Sequence, residues 1–120
     1  MIKALVPIQR ADGFWNVSLH DAAHFGGKET SGTALFVYGM AWGINQGILD
    51  KATYLPIITK AWNAMSKDAV QKNGFIGYMQ GTGKEPKDGQ PVSYTSVPDF
   101  EDYGLGCFLL AGTEVYKLKK

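Results

Sequence analysis

The chain has 120 residues, a length that suits a single modest domain. Hydrophobic residues make up 45% of the sequence and charged residues 19%, which is typical of a folded globule and excludes a disordered tail. The net charge is +1 and no basic block is longer than residues 117–120, so the basic stripe that nucleic-acid binding requires is missing.

The single cysteine and the N-terminus carry little functional signal. Cys107 lies inside an apolar run, and we interpret it as a small buried hydrophobic residue rather than a reactive thiol. The apolar stretch at the N-terminus is too short for a signal peptide, because Pro7 and Arg10 follow closely. The compartment therefore stays open between cytoplasm and periplasm.

The first 27 residues predict short elements. Residues 2–9 are predicted to be the end of a helix, and Ala11-Asp12-Gly13 is a turn signal. Residues 14–20 suit a short extended segment. Residues 21–27 are predicted to be a loop, interrupted by Gly26-Gly27.

The first long helix is predicted over about residues 29–46, and all of it after Glu29 falls in a stretch at 30–49 that contains no charge. Thr30 and Ser31 are favoured N-cap types, and Gly47 suits the C-terminal cap. Glu29 is expected to be a solvated carboxylate at the positive end of the helix dipole. Because the helix is apolar on all sides, we expect it to be buried, with Trp42 in the core.

Glycine recurs at every fourth position of this helix, at Gly39, Gly43 and Gly47, and so forms one row along it. Each glycine in a helix costs about 1 kcal/mol relative to alanine. We therefore expect another backbone to pack closely against this row, since tight packing would offset that cost.

A membrane-spanning helix is the alternative interpretation, because roughly 20 apolar residues span a bilayer. Three features argue against it. Asn45 and Gln46 fall inside the stretch, neither flank is strongly basic, and the next helix is amphipathic. We therefore expect no membrane partner.

The second helix is predicted to begin after a cap at Asp50 or Thr53, with Pro56 in its first turn, and to end at Asn73-Gly74. Its apolar residues lie on one face, as in a surface helix that covers a core. They are Tyr54, Ile58, Ala61, Trp62, Met65 and Ala69.

The rest of the chain predicts a hairpin and a third helix. Residues 75–80 and 92–97 are expected to be two short strands that pair across a polar loop at 81–91. The third helix is predicted over about residues 100–117, where glycine again alternates with large apolar residues and charge is confined to the ends.

Three polar clusters do not support a cofactor or metal. His20 and His24 have helical spacing, but they lie in a predicted loop with no further ligand nearby. The run from Gly81 to Lys84 has a glycine out of place for a phosphate loop and is followed by Glu85 instead of Ser or Thr. Asp99, Glu101 and Asp102 form an acidic cluster that could raise a pKa, although solvation of a loop is the simpler interpretation.

A series of motifs along nearly the whole chain resembles the C-terminal part of the unsaturated rhamnogalacturonyl hydrolases, glycoside hydrolase family 105, which is related to family 88. The most specific motifs are Glu29-Thr30-Ser31-Gly32 and Tyr103-Gly104-Leu105-Gly106. The others are Asp12-Gly13-Phe14-Trp15, Tyr38-Gly39, Gly43-Ile44, Gly47-Ile48-Leu49, Ala61-Trp62, Phe108-Leu109-Leu110-Ala111 and Glu114-Val115.

The resemblance implies an all-α fold, an (α/α)6 toroid built of helical hairpins. Residues 1–120 would be a single partial domain equal to its last third, with the short β-hairpin before the last helix. The family's catalytic aspartate belongs to a segment that would precede Met1, so the expectation is that no catalytic residue lies in this chain.

The implied substrate is an oligosaccharide that ends in a 4,5-unsaturated uronyl residue, left by a lyase acting on pectin or a glycosaminoglycan. The family is thought to hydrate the C4=C5 double bond of this sugar, and no metal or organic cofactor is expected.

In such toroids the substrate pocket lies near the N-termini of the inner helices. Helix N-termini suit a uronate carboxylate, because their backbone N–H groups are free. The predicted substrate-binding residues are those that open the two inner helices, with aromatic residues that could stack on a sugar: Trp15, Glu29, Thr30, Ser31, Phe100, Asp102 and Tyr103.

Each of these residues also has a structural interpretation. Thr30 or Ser31 could serve as N-cap, Asp102 could cap the last helix, and Trp15 could be a core residue. The alternative to an enzyme segment is a non-catalytic helical module, which would pair its exposed helix faces with a second copy and bind sugar weakly. In either case we expect a homo-oligomer.

Overall fold

A computed structural model describes residues 1–81 and 102–119, in which helices predominate. The elements in chain order are α1 (Ile2–Leu5), a 3-10 turn (Val6–Ile8), β1 (Trp15–Asn16), α2 (Ala22–Phe25), β2 (Lys28–Glu29), α3 (Thr30–Asn45), α4 (Lys51–Ala64), a π-helical turn (Met65–Ala69) and α5 (Asp102–Lys117). All three predicted long helices are present. The ends of α3 and α5 lie within two residues of the predicted ends, whereas α4 ends earlier than predicted.

The N-terminal segment ends its helix earlier than predicted and then turns onto α4. Gly13 lies in the turn with a φ of +99°, a conformation that suits glycine. A Cβ there would lie 2.7 Å from the Lys60 carbonyl oxygen and 2.9 Å from Ala64 Cβ. The predicted loop at 21–27 contains the short helix α2, because the Asp21 side chain accepts a hydrogen bond from the His24 N–H and caps it.

The sheet forms in a different place from the predicted hairpin. β1 and β2 pair antiparallel, with Trp15 opposite Glu29. Residues 75–80 do not form a strand, since Ile76 makes only an isolated bridge to Val70, and residues 92–97 lie outside the described part of the chain. The positive φ angle at Tyr78 interrupts the extended backbone that a strand needs.

Helix α3 corrects two predictions. Among residues 1–81 and 102–119, no neighbour lies within 4 Å of a Cβ placed at Gly39 or Gly47, and one placed at Gly43 would lie 2.7 Å from the Leu49 side chain. The glycine row therefore receives a folded-back side chain rather than another backbone, while Gly47, at φ +71°, ends the helix as predicted. Trp42 is 43% exposed and not in the core, because its face of α3 has no neighbour among the described residues.

Helix α4 is capped by Asp50, whose side chain accepts hydrogen bonds from the Thr53 N–H and hydroxyl. Its predicted apolar face is buried at five positions, and the sixth, Trp62, is partly buried and stacks on Phe108 with ring centroids 4.9 Å apart. The helix ends at Ala64 and continues as the π-helical turn to Ala69, short of the predicted Asn73-Gly74. Pro56 lies in its second turn rather than the first.

The core lies where α3 packs on α4 and α5 and on the N-terminal segment. Its largest fully buried side chains are Trp15, Phe14, Met40, Ile58, Met65 and Val37. Cys107 is partly rather than fully buried, and burial, followed by the charge of Glu29, raises the pKa of its thiol. Among the described helices, none is long and apolar enough to cross a membrane.

A buried carboxylate joins the C-terminal halves of α3 and α5. Glu114 is 5% exposed, and it accepts a hydrogen bond from Asn45 Nδ2 at 2.8 Å and one from Lys117 Nζ at 2.5 Å. These two hydrogen bonds, the one from Lys117 first, lower the pKa of Glu114. The charged form of Glu114 therefore stabilises the fold.

We predict that Glu114→Gln lowers the free energy of unfolding at pH 7 by about 1–2 kcal/mol, because an amide cannot accept both hydrogen bonds. The folded-state pKa of Glu114 lies below the ordinary value of 4.5. Its contribution is therefore full above pH 4.5 and disappears as the pH falls through the folded-state pKa. Urea unfolding of both proteins between pH 3 and pH 7 measures the difference, and a difference that does not shrink below pH 4.5 would contradict the assignment.

Candidate functional site

The carboxylate of Glu29 is the centre of a polar cluster at the start of α3. Glu29 ends β2 and is 6% exposed. Its Oε1 accepts hydrogen bonds from the N–H of Ser31 at 2.9 Å, the hydroxyl of Ser31 at 2.6 Å and the N–H of Gln80 at 3.2 Å. Its Oε2 accepts a hydrogen bond from the N–H of Gly32 at 2.5 Å. Glu29 is thus the N-cap of α3 and is buried rather than solvated, which corrects the prediction that Thr30 or Ser31 would be the cap.

Gly32 makes this approach of the carboxylate possible. A Cβ at Gly32 would lie 2.8 Å from Glu29 Oε2, which is closer than an ordinary van der Waals contact. The motif Glu29-Thr30-Ser31-Gly32 therefore has a physical explanation: its first residue caps the helix, and its last leaves space for the cap.

Thr30 fastens a second segment to the helix. Its N–H donates to the carbonyl oxygen of Tyr78 at 2.8 Å, and its hydroxyl donates to the carbonyl oxygen of Gly77 at 2.7 Å. Thr30 is fully buried, so its hydroxyl does not reach a sugar in this structure. Its observed contacts are with the protein itself.

Lys28 holds the same segment from the other side. Its ammonium group lies 2.8 Å from Asp68 Oδ2 and 5.3 and 5.1 Å from the ring centroids of Phe14 and Tyr78. The hydrogen bond to Asp68 is the main cause that raises the pKa of Lys28. Tyr78 has a φ of +57°, which is unusual for a residue with a side chain. Its ring is contacted by the Lys28 ammonium group and its carbonyl oxygen by the Thr30 N–H, so both are held in place.

Beside this cluster lies a cleft of about 290 Å³. Its polar lining includes Asn16, Glu29, Ser31 and Gln80, and its apolar lining includes Trp15 and Phe36. Ser31 and Gln80 are partly exposed there. The cleft has the mixed lining that suits a small polar ligand with an apolar face.

The structure brings together four predicted site residues and one that was not predicted, Gln80. We call this group the N-terminal cluster of α3: Glu29, Thr30, Ser31, Gln80 and Tyr103. The Tyr103 hydroxyl donates to the Gln80 carbonyl oxygen. Sequence reasoning missed Gln80, because nothing in its neighbourhood signals that its backbone would contact a carboxylate 51 residues away.

The other predicted site residues are placed as follows. Trp15 lines the cleft but is 1% exposed, because its indole N–H donates to the Leu5 carbonyl oxygen at 2.9 Å and its ring packs against Phe36. Trp15 therefore presents no free ring face to a sugar here. Asp102 begins α5, its side chain lies outside the described part of the structure, and so does Phe100. The phosphate-loop candidate after Gly81 and the acidic residues Asp99 and Glu101 also lie in the part not described.

Metal binding finds no support among residues 1–81 and 102–119, where no three His, Cys, Asp or Glu side chains form a group that could hold an ion. His24 lies in α2 with its ring against Phe25, and His20 precedes that helix. The two imidazoles thus do not share a helix face.

Comparison with known proteins identifies the family to which this chain belongs. The sequence profile of glycosyl hydrolase family 88 matches residues 1–119. The chain therefore belongs to glycosyl hydrolase family 88, as the motif resemblance predicted. The fold class is confirmed as well, because the similar solved structures include toroid enzymes of families 88 and 105.

Three similar proteins illustrate the relationship. The "Unsaturated 3S-rhamnoglycuronyl hydrolase" of Formosa agariphila is 35% identical over 120 residues, which is 100% of this chain and 30% of that protein. The solved family 88 structure from Bacteroides vulgatus is 44% identical to this chain, with a TM-score of 0.85. The aligned region is 98% of this chain and 33% of that protein. A Salmonella enterica structure called a "possible member of GH105 family" is 25% identical to this chain, with a TM-score of 0.79. The aligned region is 99% of this chain and 30% of that protein. The chain thus spans about a third of the length of these relatives.

We predict opposite effects for two glycines of α3. Gly32→Ala should lower the free energy of unfolding by about 1–2 kcal/mol, because the new methyl group displaces the Glu29 cap. Gly39→Ala should raise it by about 0.5–1 kcal/mol, because a Cβ there meets nothing within 4 Å and alanine is the better helix former. Urea unfolding of the two variants measures both, and equal effects would show that the carboxylate does not depend on Gly32.

Proposed function

We propose that the chain forms one wall of a glycoside hydrolase that removes 4,5-unsaturated uronic acid from the oligosaccharides that polysaccharide lyases produce. The observation that carries this proposal is the family match along residues 1–119, together with the hydrolase activity for which the Formosa agariphila relative is named. Residues 1–120 would be a partial domain that corresponds to the last third of the toroid.

The proposed reaction is hydration of the vinyl ether in the unsaturated sugar. A general acid adds a proton to C4, a water oxygen adds to C5 as the water gives up its proton, and the resulting hemiketal opens to release the next sugar. A positioned general acid or base contributes roughly two to four powers of ten to such a rate. We place this acid outside the 120 residues, which leaves substrate positioning as the role of this chain.

Within this chain the cleft beside the N-terminal cluster of α3 is the proposed contact surface for the sugar. Ser31 and Gln80 line it and are partly exposed. The N–H groups of Ser31 and Gly32 are already bonded to Glu29, so the substrate carboxylate is not expected at this helix N-terminus. The Ser31 hydroxyl donates to Glu29, and its lone pairs remain able to accept a hydrogen bond from a sugar hydroxyl.

We predict that the 120-residue chain alone does not consume the C4=C5 double bond of a lyase-digested pectin fragment. A hybrid in which these residues replace the matching third of the Formosa agariphila relative should consume the double bond of an unsaturated rhamnoglycuronyl oligosaccharide, the substrate that the name of that relative gives. Loss of the ultraviolet absorbance of the double bond measures both, and the relative itself is the positive control. Turnover by the chain alone would contradict the placement of the acid, and a folded but inactive hybrid would contradict the proposed function.

A second candidate role, self-association without catalysis, is supported by uncovered apolar surface. On α3, Leu35 is 46% and Trp42 43% exposed, and on α5 Leu109 is 57% and Tyr116 63% exposed. Beside these α5 residues, an apolar cleft of about 470 Å³ lies between Trp62 and Phe108 on one side and Tyr116 on the other. Exposed apolar surface of this kind favours association with another protein surface.

We predict that the isolated chain forms a dimer or larger assembly, and that the double variant Trp42→Lys and Leu109→Lys shifts it toward monomer. Light scattering across a concentration series measures the mass of each. Lys67→Ala, on the π-helical turn, is the control for an exposed change outside the apolar faces. A wild-type monomer with a sharp thermal transition would contradict association.

A further inference from the structure

We propose that Glu29 is a positioning residue, which holds residues 77–80 against the start of α3, rather than a ligand of the substrate. The consequence for catalysis rests on the proposed function. The structural part concerns only the described residues of this chain.

The first argument is that both carboxylate oxygens already accept hydrogen bonds from the protein. An ionised carboxylate offers about four acceptor positions. Glu29 accepts four hydrogen bonds, from the N–H and hydroxyl of Ser31 and from the N–H groups of Gly32 and Gln80. Three of these bonds are to Oε1 and one is to Oε2, and with the residue 6% exposed little of the carboxylate is accessible to a sugar hydroxyl.

The second argument is that Glu29 joins three separate pieces of chain. Its backbone pairs with Trp15 in the small sheet. Its side chain caps α3 and also holds the Gln80 N–H, while Tyr103 from α5 donates to the Gln80 carbonyl oxygen. Gln80 is therefore held at both its N–H and its C=O, and the partner that holds its N–H is the charged carboxylate of Glu29.

The third argument is that the neighbours of Glu29 in sequence serve the same segment. Lys28 lies beside the Tyr78 ring, and Thr30 bonds the carbonyl oxygens of Gly77 and Tyr78. Three consecutive residues thus each contact residues 77–80. Two residues that line the cleft, Ser31 and Gln80, take their relative position from the one carboxylate between them.

The test uses amide hydrogen exchange of the intact 120-residue chain. In Glu29→Gln, the side-chain NH₂ faces either the Gly32 N–H or the N–H groups of Ser31 and Gln80, so either orientation of the amide loosens the cap that holds Gln80. We therefore expect exchange at Gln80 to rise at least tenfold. Exchange at the Ile58 amide in α4, whose side chain is fully buried, should stay unchanged. The matched control is Glu114→Gln, an equally buried carboxylate that bonds Asn45 and Lys117 and should leave Gln80 exchange unchanged.

A second pair of variants covers the case in which Glu29→Gln does not fold. Thr30→Val removes only the hydroxyl bond to the Gly77 carbonyl oxygen and should also accelerate exchange at Gln80, whereas Thr30→Ser keeps the bond and should not. Unchanged exchange at Gln80 in both Glu29→Gln and Thr30→Val would overturn the proposal.

Kinetic measurements on the hybrid enzyme test what the positioning role of Glu29 means for catalysis. A positioning role predicts that Glu29→Gln lowers kcat at least tenfold with KM changed less than threefold, together with faster exchange at Gln80. A raised KM with unchanged exchange would instead identify Glu29 as a substrate ligand and overturn the proposal. An inactive unsubstituted hybrid overturns the proposed function, and the exchange data on the chain itself then decide the role of Glu29.

Discussion

The arrangement of this molecule depends on a buried carboxylate at a helix start. Burying an ionised side chain is unfavourable unless hydrogen bonds replace its hydration. At Glu29 three backbone N–H groups and a hydroxyl do so, and the positive end of the α3 dipole adds a favourable field. Since Glu29 ends β2 and its carboxylate binds both the start of α3 and the N–H of Gln80, the geometry of the adjacent cleft depends on this one group.

The second feature of the molecule is apolar surface that the described residues do not cover. Trp42 on α3 and Leu109 on α5 lie on helix faces without a neighbour, although the opposite faces of the same helices are buried. The relatives are about three times as long as this chain. Uncovered faces of this kind fit the proposal that α3 and α5 belong to the wall of a toroid, where adjacent hairpins would cover them.

Local signals predicted the helices well and their surroundings poorly. Asp50 and Gly47 were identifiable as caps because the side-chain and backbone chemistry of a cap acts over three or four residues. The N-cap of α3 was assigned to the wrong residue, since Glu29, Thr30 and Ser31 all suit a helix start. Only the packing of Gly77 and Tyr78 on Thr30 decides among them.

The sequence by itself determined the helical class, the extents of α3 and α5 and, through its motifs, membership in glycosyl hydrolase family 88. These follow from hydrophobic periodicity, capping chemistry and motif order, which act within short stretches of chain. Only the tertiary structure showed that Glu29 is buried, that Trp42 is exposed and that Gln80 belongs to the cluster. These properties depend on which distant segments meet, and a contact between residues 51 positions apart leaves no trace in either local sequence.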